Sequence, residues 1–235
     1  MSARAPAAAG DHLGTEEVLR PLAVQRAGRV PYAEALALQR ELVAKRRTGE
    51  IPDTLLVLEH PHVITLGSSS DRTDVLASEG ERARLGIELF PVGRGGGVTY
   101  HGPGQLVAYP IVDLKPDRKD LHAYLRDLES VLIAVAEGFG VAARRREGLT
   151  GVWTDRGKLA AIGVRVSSQW IASHGVALNV APDLAYFGSI VPCGLAGEEV
   201  TSLERELGRA PEPNAVVETL VRCFADVFER KIIVG

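Results

Sequence analysis

The sequence predicts an α+β sandwich in which helices cover a mixed, largely antiparallel sheet. Helical spacing of apolar residues occurs early, in the middle and late in the chain, and strand-like segments cluster between these helices. Three of the strand-like segments follow one another with only polar or glycine-containing turns between them. Strands joined by short turns pair in antiparallel fashion, which favours this sheet over a parallel one.

The first part of the chain supplies a leader, a helix and a buried strand. Residues 1–15 are rich in alanine and lack periodicity, so we expect a disordered leader before one domain over residues 16–235. From Pro31 the apolar spacing predicts a helix that ends at Gly49. Leu55–Leu58 is a short apolar run, which favours a strand buried on both faces.

Two weaker segments follow. Val63–Leu66 is expected to continue the buried strand, and residues 73–85 have a weak helical pattern.

The most unusual stretch is Arg94-Gly95-Gly96-Gly97-Val98-Thr99-Tyr100-His101-Gly102-Pro103-Gly104-Gln105, which contains five glycines. Glycine adopts backbone conformations closed to other residues and lets a ligand or a second strand approach the main chain. Strand-like residues flank the stretch on both sides. We therefore expect a glycine-rich hairpin or bulged loop at a sheet edge.

The second half of the chain alternates between clear helices and strands. Asp120 is a good N-cap for a helix that ends near Gly138. The three predicted strands are residues 141–154, 159–166 and 170–180.

Two helices complete the chain. Residues 201–204, Thr-Ser-Leu-Glu, fit a capping box for a short helix, and Asn214 is predicted to cap the last one.

The composition is that of a globular protein. The chain has 235 residues, 46% of them hydrophobic and 24% charged, with a net charge of −3. Proteins that bind nucleic acid through its phosphates usually carry a basic surplus, so this charge disfavours general nucleic-acid binding. No apolar run approaches the ~20 residues that cross a membrane. We expect a cytoplasmic protein with no membrane association.

Cys193 and Lys158 are candidate catalytic groups. Cys193 lies between Pro192 and Gly194, which shape the path of its loop, whereas Cys223 lies on the last helix and is expected in the core. A free thiol has a pKa of about 8.5, so a nearby cation is needed to ionise it at neutral pH. Lys158 fits, since it begins an apolar strand whose small residues leave room for a ligand. Alternatively, Cys193 is a small loop residue and Lys158 is solvated.

Metal and phosphate sites have little support. The histidines lack His-x-x-x-His spacing, and no Cys-x-x-Cys pair is present, so no metal site is predicted. The glycine-rich stretch matches neither a Walker loop nor a dinucleotide fingerprint. An extended apolar ligand such as an acyl chain fits it better, with a tight structural hairpin as the alternative.

Four motifs, in this order, resemble the bacterial octanoyltransferase family, also called lipoyl(octanoyl) transferase. They are Arg94–Gln105, Lys158–Gly163, His174–Asn179 and Pro192–Gly194. The resemblance covers roughly residues 30–230. It implies the fold of the biotin and lipoate protein ligase catalytic domain, in agreement with the predicted sandwich.

The resemblance also implies a reaction. An octanoyl or lipoyl group passes from acyl carrier protein, through a thioester on Cys193, to a lysine of a lipoyl domain, as the first step of endogenous protein lipoylation. The acceptors are 2-oxo acid dehydrogenases and the glycine cleavage H protein, and no cofactor is implied. Lys158 lowers the pKa of Cys193 and moves protons. The implied acyl pocket and oxyanion contacts comprise Arg94, Gly95, Gly96, Gly97, Val98, Thr99, Tyr100, His101, Ala161, Ile162, Gly163, Gly175, Val176 and Ala177.

Both protein partners of this family are usually acidic, so a basic surface is expected. Arg144–Arg146 and Lys45–Arg47 are the candidates, although such runs also occur as ordinary solvated faces.

Two alternatives stay open at this point. One is an ATP-dependent lipoate or biotin ligase of the same fold, which needs no cysteine nucleophile. The other is a non-catalytic module that binds acyl groups or lipoyl domains, in which Cys193 and Lys158 are structural. A cysteine hydrolase fits less well, because transfer to an amine requires that water be excluded.

Overall fold

The computed structural model describes residues 19–191 and 199–233, so the predicted leader and Cys193 lie outside the described residues. The strands are β1 (Arg20–Arg29), β2 (Asp53–Glu59), β3 (Val63–Leu66), β4 (Glu88–Pro91), β5 (Val98–His101), β6 (Gln105–Ile111), β7 (Val152–Thr154), β8 (Gly157–Val166), β9 (Ala172–Asn179) and β10 (Arg230–Ile233). The helices are α1 (Tyr32–Thr48), α2 (Glu79–Leu85), α3 (Leu121–Gly138), α4 (Leu203–Leu207) and α5 (Pro213–Phe228).

A seven-stranded sheet carries the core. Its order is β10-β1-β2-β6-β9-β8-β7, with the first three strands parallel to one another and every later pair antiparallel. Helices α3 and α5 bury their apolar faces against one side of this sheet, and α1 packs on the other side. The predicted mixed, largely antiparallel sheet covered by helices is therefore confirmed.

The helix ends follow local chemistry. The Asp120 side chain accepts hydrogen bonds from the first backbone N–H groups of α3, as predicted, and α1 ends at Gly49 in the left-handed conformation with φ 77°. The predicted cap of the last helix is wrong. Glu212 caps α5, since Pro213 takes the first helical position, where a missing N–H costs nothing, and Asn214 lies inside the helix.

The capping box predicted at residues 201–204 is shifted by one position. Ser202 caps α4 by accepting from the N–H of Arg205. The hydroxyl of Thr201 instead donates to Glu206 at 2.6 Å, because Thr201 is fully buried beside β8.

Three strands differ from the prediction. Strands β1 and β10 were not predicted, because β1 alternates polar and apolar residues weakly and β10 is only four residues long. The strand predicted over residues 141–154 is reduced to Val152–Thr154. Before it, only an isolated bridge joins Arg144 to Trp153, since the intervening residues include a turn at Gly148 with φ 73°.

A second, three-stranded sheet has the order β4-β3-β5. Because β3 lies between β4 and β5, the hairpin, one of the two expectations for the glycine-rich stretch, is wrong: residues 92–97 form a loop that crosses the end of β3 and joins the two edge strands. Ser68 and Ser69, just after β3, donate backbone hydrogen bonds to the carbonyls of Arg94 (2.9 Å) and Gly96 (3.1 Å). Strand β3 thus leaves β2 for this small sheet and does not continue it.

A buried ionic cluster links the first and last strands in chain order, β1 and β10, to their neighbours. The Asp53 carboxylate contacts Arg46 Nε at 2.7 Å, Arg230 Nε at 2.9 Å and Arg20 Nη2 at 3.2 Å. The side chains of Asp53 and Arg230 are almost fully buried. The cluster ties α1, β1, β2 and β10 together, and removing one partner would leave a buried charge unpaired.

Candidate active site

A cavity of about 450 Å³, here called the main cavity, lies beside β8 and β9 on the α1 side of the large sheet. The loop over β3 and strand β5 form another of its walls, and most of its lining side chains on β8 and β9 are small or apolar. Such a space suits an extended apolar ligand with few polar contacts.

Most of the predicted site residues are brought together here. Those that line the main cavity are Arg94, Gly96, Gly97, Val98, Thr99, His101, Lys158, Ala161, Ile162, Gly163, Gly175, Val176 and Ala177. Gly95 is not in the lining and donates its N–H to Val164 on β8 at 2.8 Å. Tyr100 is also placed elsewhere: its ring packs on Phe187, and its hydroxyl bonds His62 Nδ1 at 2.7 Å. Cys193 lies outside the described ranges.

Arg94 fastens the loop over β3. Its guanidinium donates to the carbonyls of Gly95 and Gly97 and to both the carbonyl and the hydroxyl of Thr65, at 2.8 to 3.1 Å. A Cβ on Gly163 would come within 2.9 Å of Arg94 Cδ, so this glycine makes room for the arginine stem. Arg94 therefore shapes the cavity wall by holding backbone.

Gly175 is explained by its neighbour in the sheet. A Cβ there would overlap the carbonyl of Ala108 and the ring of Pro110 on β6. Small residues on β8 and β9 thus serve packing as well as the open space.

Lys158 lies at the start of β8 and is 6% exposed, so the solvated alternative does not hold. Its Nζ lies 5.0 Å from the centroid of the Trp153 ring, within the range of a cation–π interaction. Its backbone N–H donates to the Glu199 carbonyl at 2.8 Å and its carbonyl accepts from the Thr201 N–H at 3.0 Å, so both groups bond the same neighbouring segment. The strand start is fixed against the residues that follow segment 192–198.

The hydrogen bonds around His101 determine which of its two ring nitrogens carries the proton. Gln105 Nε2 donates to the Tyr100 carbonyl (3.3 Å) and to Asn179 Oδ1 (2.9 Å), and Asn179 Nδ2 donates to the Thr201 carbonyl (3.0 Å). This chain leaves Gln105 Oε1 as an acceptor, so His101 donates to it through Nδ1 at 2.7 Å. Burial lowers the pKa of His101 to about 3, with a smaller contribution from His60. With Nδ1 protonated, Nε2 of the neutral imidazole carries the lone pair and can accept a hydrogen bond.

Two further histidines are buried nearby. His60 Nδ1 donates to the Val30 carbonyl and Nε2 accepts from the Tyr109 hydroxyl, both at 2.8 Å. Burial lowers the pKa of His60 to about 4, and burial together with Arg94 lowers that of His174 to about 4. All are neutral at pH 7.

Several lining residues were not predicted as site residues. Gln105, Asn179 and His174 belong to motifs singled out in the sequence, so the motif itself was the available signal. Trp153 and Tyr109 read only as strand residues, since their contact with the cavity depends on how the strands pair.

Two classes of site have no support in the part of the chain that the structure describes. Within it, no group of three or more histidine, cysteine or acidic side chains is arranged to hold a metal ion. None of its helices combines the length and the apolar character that a bilayer-spanning helix needs.

Comparison with known proteins gives consistent relatives. The family model of the lipoyl protein ligase A/B catalytic domain matches residues 31–225. An octanoyltransferase of Rubrobacter xylanophilus is 54% identical over 201 residues, covering 85% of this chain and 90% of the relative. An octanoyltransferase of Solibacter usitatus is 47% identical over 217 residues, covering 92% of this chain and 97% of the relative.

A solved structure is similar in fold. Lipoate-protein ligase A bound with ATP superposes with a TM-score of 0.69 at 14% identity, covering 92% of this chain and 90% of that chain. At this identity the likeness concerns the fold alone.

Proposed function

This chain belongs to the octanoyltransferase family, and from that premise we propose that it moves an octanoyl group from acyl carrier protein to a lysine of lipoyl domains. The acceptors are the lipoyl domains of 2-oxo acid dehydrogenases and the glycine cleavage H protein. The proposed unit is one catalytic domain over residues 16–235, working in the cytoplasm. The observation that carries the proposal is the buried Lys158 at a cavity lined by apolar β8 and β9 residues.

The proposed reaction has two balanced steps. The Cys193 thiolate attacks the carrier thioester, forming a new carbon–sulfur bond while the phosphopantetheine thiolate leaves and takes a proton. The acceptor lysine amine then attacks the Cys193 thioester, forming the amide and returning the thiol. No oxidant, reductant or ATP enters either step.

The surroundings of Cys193 in the chain support its part in this reaction. Ile190 and Val200, described residues on either side of segment 192–198, both line the main cavity. A positive charge such as Lys158 lowers the pKa of a thiol that lies near it.

The wall formed by Arg94 to Thr99 is proposed to hold the acyl chain against the sheet. In this proposal the neutral His101 ring contributes a hydrogen-bond acceptor at Nε2 and not a positive charge. Gly95 and Tyr100 support that wall from behind, through Val164 and Phe187.

The basic runs considered as partner surfaces are largely paired within the chain. Arg144 pairs with Asp155 and Arg145 with Glu129, while Arg46 of the other run pairs with Asp53. Neither run is an uncompensated basic patch, so contact with acidic partners there would compete with these internal pairs.

Intact-mass spectrometry after mixing with octanoyl carrier protein tests the mechanism. We expect an octanoyl adduct that hydroxylamine removes, that forms without ATP, and that disappears in Cys193→Ala. The matched control is Cys223→Ala, because Cys223 packs against the core at α5 and burial raises the pKa of its thiol. Loss of the adduct in Cys223→Ala, its persistence in Cys193→Ala, or a need for ATP would each contradict the mechanism.

A further inference from the structure

A second cavity, of about 370 Å³, lies between α1, the start of the loop over β3 and the turn that joins β8 to β9. Among the residues that the structure describes, the linings of the two cavities share only His174. This side chain is 4% exposed, and its ring meets the Tyr109 ring edge-on with centroids 6.2 Å apart. His174 therefore fills the partition between the two spaces.

We propose that His174 is the stop that sets the acyl length of the transferred group, by closing the main cavity at the end away from Lys158. The inference rests on the proposed function, since it concerns the chain that the cavity would hold.

The distance from the Lys158 head to His174 can be measured along strand β8. The Lys158 stem leans toward Gly151, where a Cβ would come within 2.9 Å of Cε. The next residue, Val152, pairs with Ala160. The same Cβ on Gly151 would lie 2.8 Å from the Ala160 carbonyl oxygen, so the lysine head is at about the level of Ala160. His174 pairs with Val164, four residues further along the strand, which is about 13 Å at 3.3 Å per residue.

Acyl chains can be measured on the same scale. An extended peptide advances about 1.2 Å per backbone bond, so an eight-carbon chain spans about 8 Å and a twelve-carbon chain about 13 Å. The shorter chain ends before His174, and the longer one reaches it.

The other side chains at this end cannot be removed as simply. The Arg94 stem lies over Gly163 while its guanidinium holds the loop, and the Tyr109 hydroxyl is bonded to His60. Both line the main cavity and not the second one. Among the described residues His174 alone lines both cavities, so the loss of its ring is the change that we expect to join the two spaces.

The space past His174 is partly polar. Gln39 Nε2 is buried without a hydrogen-bond partner in the described part of the chain, and Arg40 and Arg165 also line this cavity. An apolar chain end cannot satisfy these groups. A chain extended past His174 should therefore gain less than the usual free energy per methylene, which limits the expected effect.

The test compares octanoyl, decanoyl and dodecanoyl carrier proteins as donors, with kcat/KM as the readout. His174→Gly suits the native φ of 56° and keeps the backbone N–H that donates to Gln39. We expect its dodecanoyl-to-octanoyl ratio of kcat/KM to rise about tenfold or more, within the range for single methylene discrimination. His174→Asn, which also tolerates this φ, should shift the same way. His174→Phe should keep the wild-type ratio, and His122→Ala, exposed on α3, is the control.

An unchanged ratio in folded His174→Gly and His174→Asn overturns the inference, as does an equal rise in His174→Phe. Calorimetric binding of free octanoate and dodecanoate gives a second readout that needs no transfer. If the wild-type protein transfers no acyl group, the proposed function fails. The binding ratio in His174→Gly then decides the length stop by itself: a rise toward dodecanoate supports it, and no change overturns it.

Discussion

At the scale of single residues, the main cavity holds a lysine in surroundings that fix its position. The Trp153 ring lies under the ammonium, and the absence of a side chain at Gly151 leaves space for the Lys158 stem. A cation held beside a thiol stabilises the thiolate, because one pKa unit corresponds to about 1.4 kcal/mol. A test of the role of Lys158 should therefore remove its charge.

Lys158→Met keeps a stem of similar size without the charge. We expect acyl-enzyme formation at pH 7 to slow by about a hundredfold or more, within the usual range for an acid–base group. Part of the rate should return as the pH approaches 9, because an unassisted thiol ionises near pH 8.5. Stopped-flow measurement of adduct formation across this pH range checks both points.

Lys119→Met is the matched control, since Lys119 also lies over an indole, at 5.7 Å from the Trp170 centroid, but is exposed and absent from the cavity lining. If both variants slowed acyl-enzyme formation equally, the loss of rate would not be due to the lysine in the main cavity.

At the scale of elements, the loop over β3 is held by Arg94 and by the sheet below it. Gly163 on β8 is the position where the arginine stem and the sheet meet. The stem cannot retreat freely, because its guanidinium is bonded to Gly95, Gly97 and Thr65.

Gly163→Ala is therefore expected to destabilise the protein by about 1–3 kcal/mol, as overpacking in a filled core does. Gly80→Ala is the contrasting change: nothing lies within 4 Å of a Cβ there, and alanine favours the helix by about 0.5–1 kcal/mol. Urea unfolding of both variants measures the difference. If Gly163→Ala instead raised the free energy of unfolding, the Arg94 stem would be able to move aside and the prediction would be wrong.

The elements that the sequence predicted well are those with local signals. Helix α3 has both a capping aspartate and regular apolar spacing, and β2 is a continuous apolar run between prolines. The glycine-rich stretch was predicted to line the ligand pocket, but the path of its backbone was not predicted. A hairpin and a loop that crosses the end of a third strand require the same conformationally permissive residues. The contacts of Trp153, Tyr109 and His174 depend on strand order, which local patterns do not determine.

At the scale of the whole molecule, burying neutral histidines makes stability depend on pH. The pKa values of His60, His101 and His174 are lowered by burial to about 4, 3 and 4. The unfolded chain binds these protons near pH 6.5, whereas the folded protein does not until much lower pH. Their contribution to stability is therefore present above pH 6.5 and is lost as the pH falls toward 4.

Each of these histidines adds about 1.4 kcal/mol per pH unit to the slope of unfolding free energy between the two pKa values. Urea unfolding at pH 7, 6 and 5 should show a falling free energy of unfolding. His60→Gln should lower the slope by about one proton, and His122→Gln, on the exposed face of α3, is the matched control. Identical slopes in the two variants would contradict the assignment.

The parallel pairing of β1 with β10 brings the two ends of the described chain side by side, and Arg230 reaches back to Asp53. Such a long-range pairing forms slowly in general, because the entropy of closing a long loop is lost before the pairing contacts can compensate for it. During synthesis, the outer edge of β1 has no β10 to pair with until residues 230–233 have emerged from the ribosome. Until then the nascent chain exposes an open strand edge.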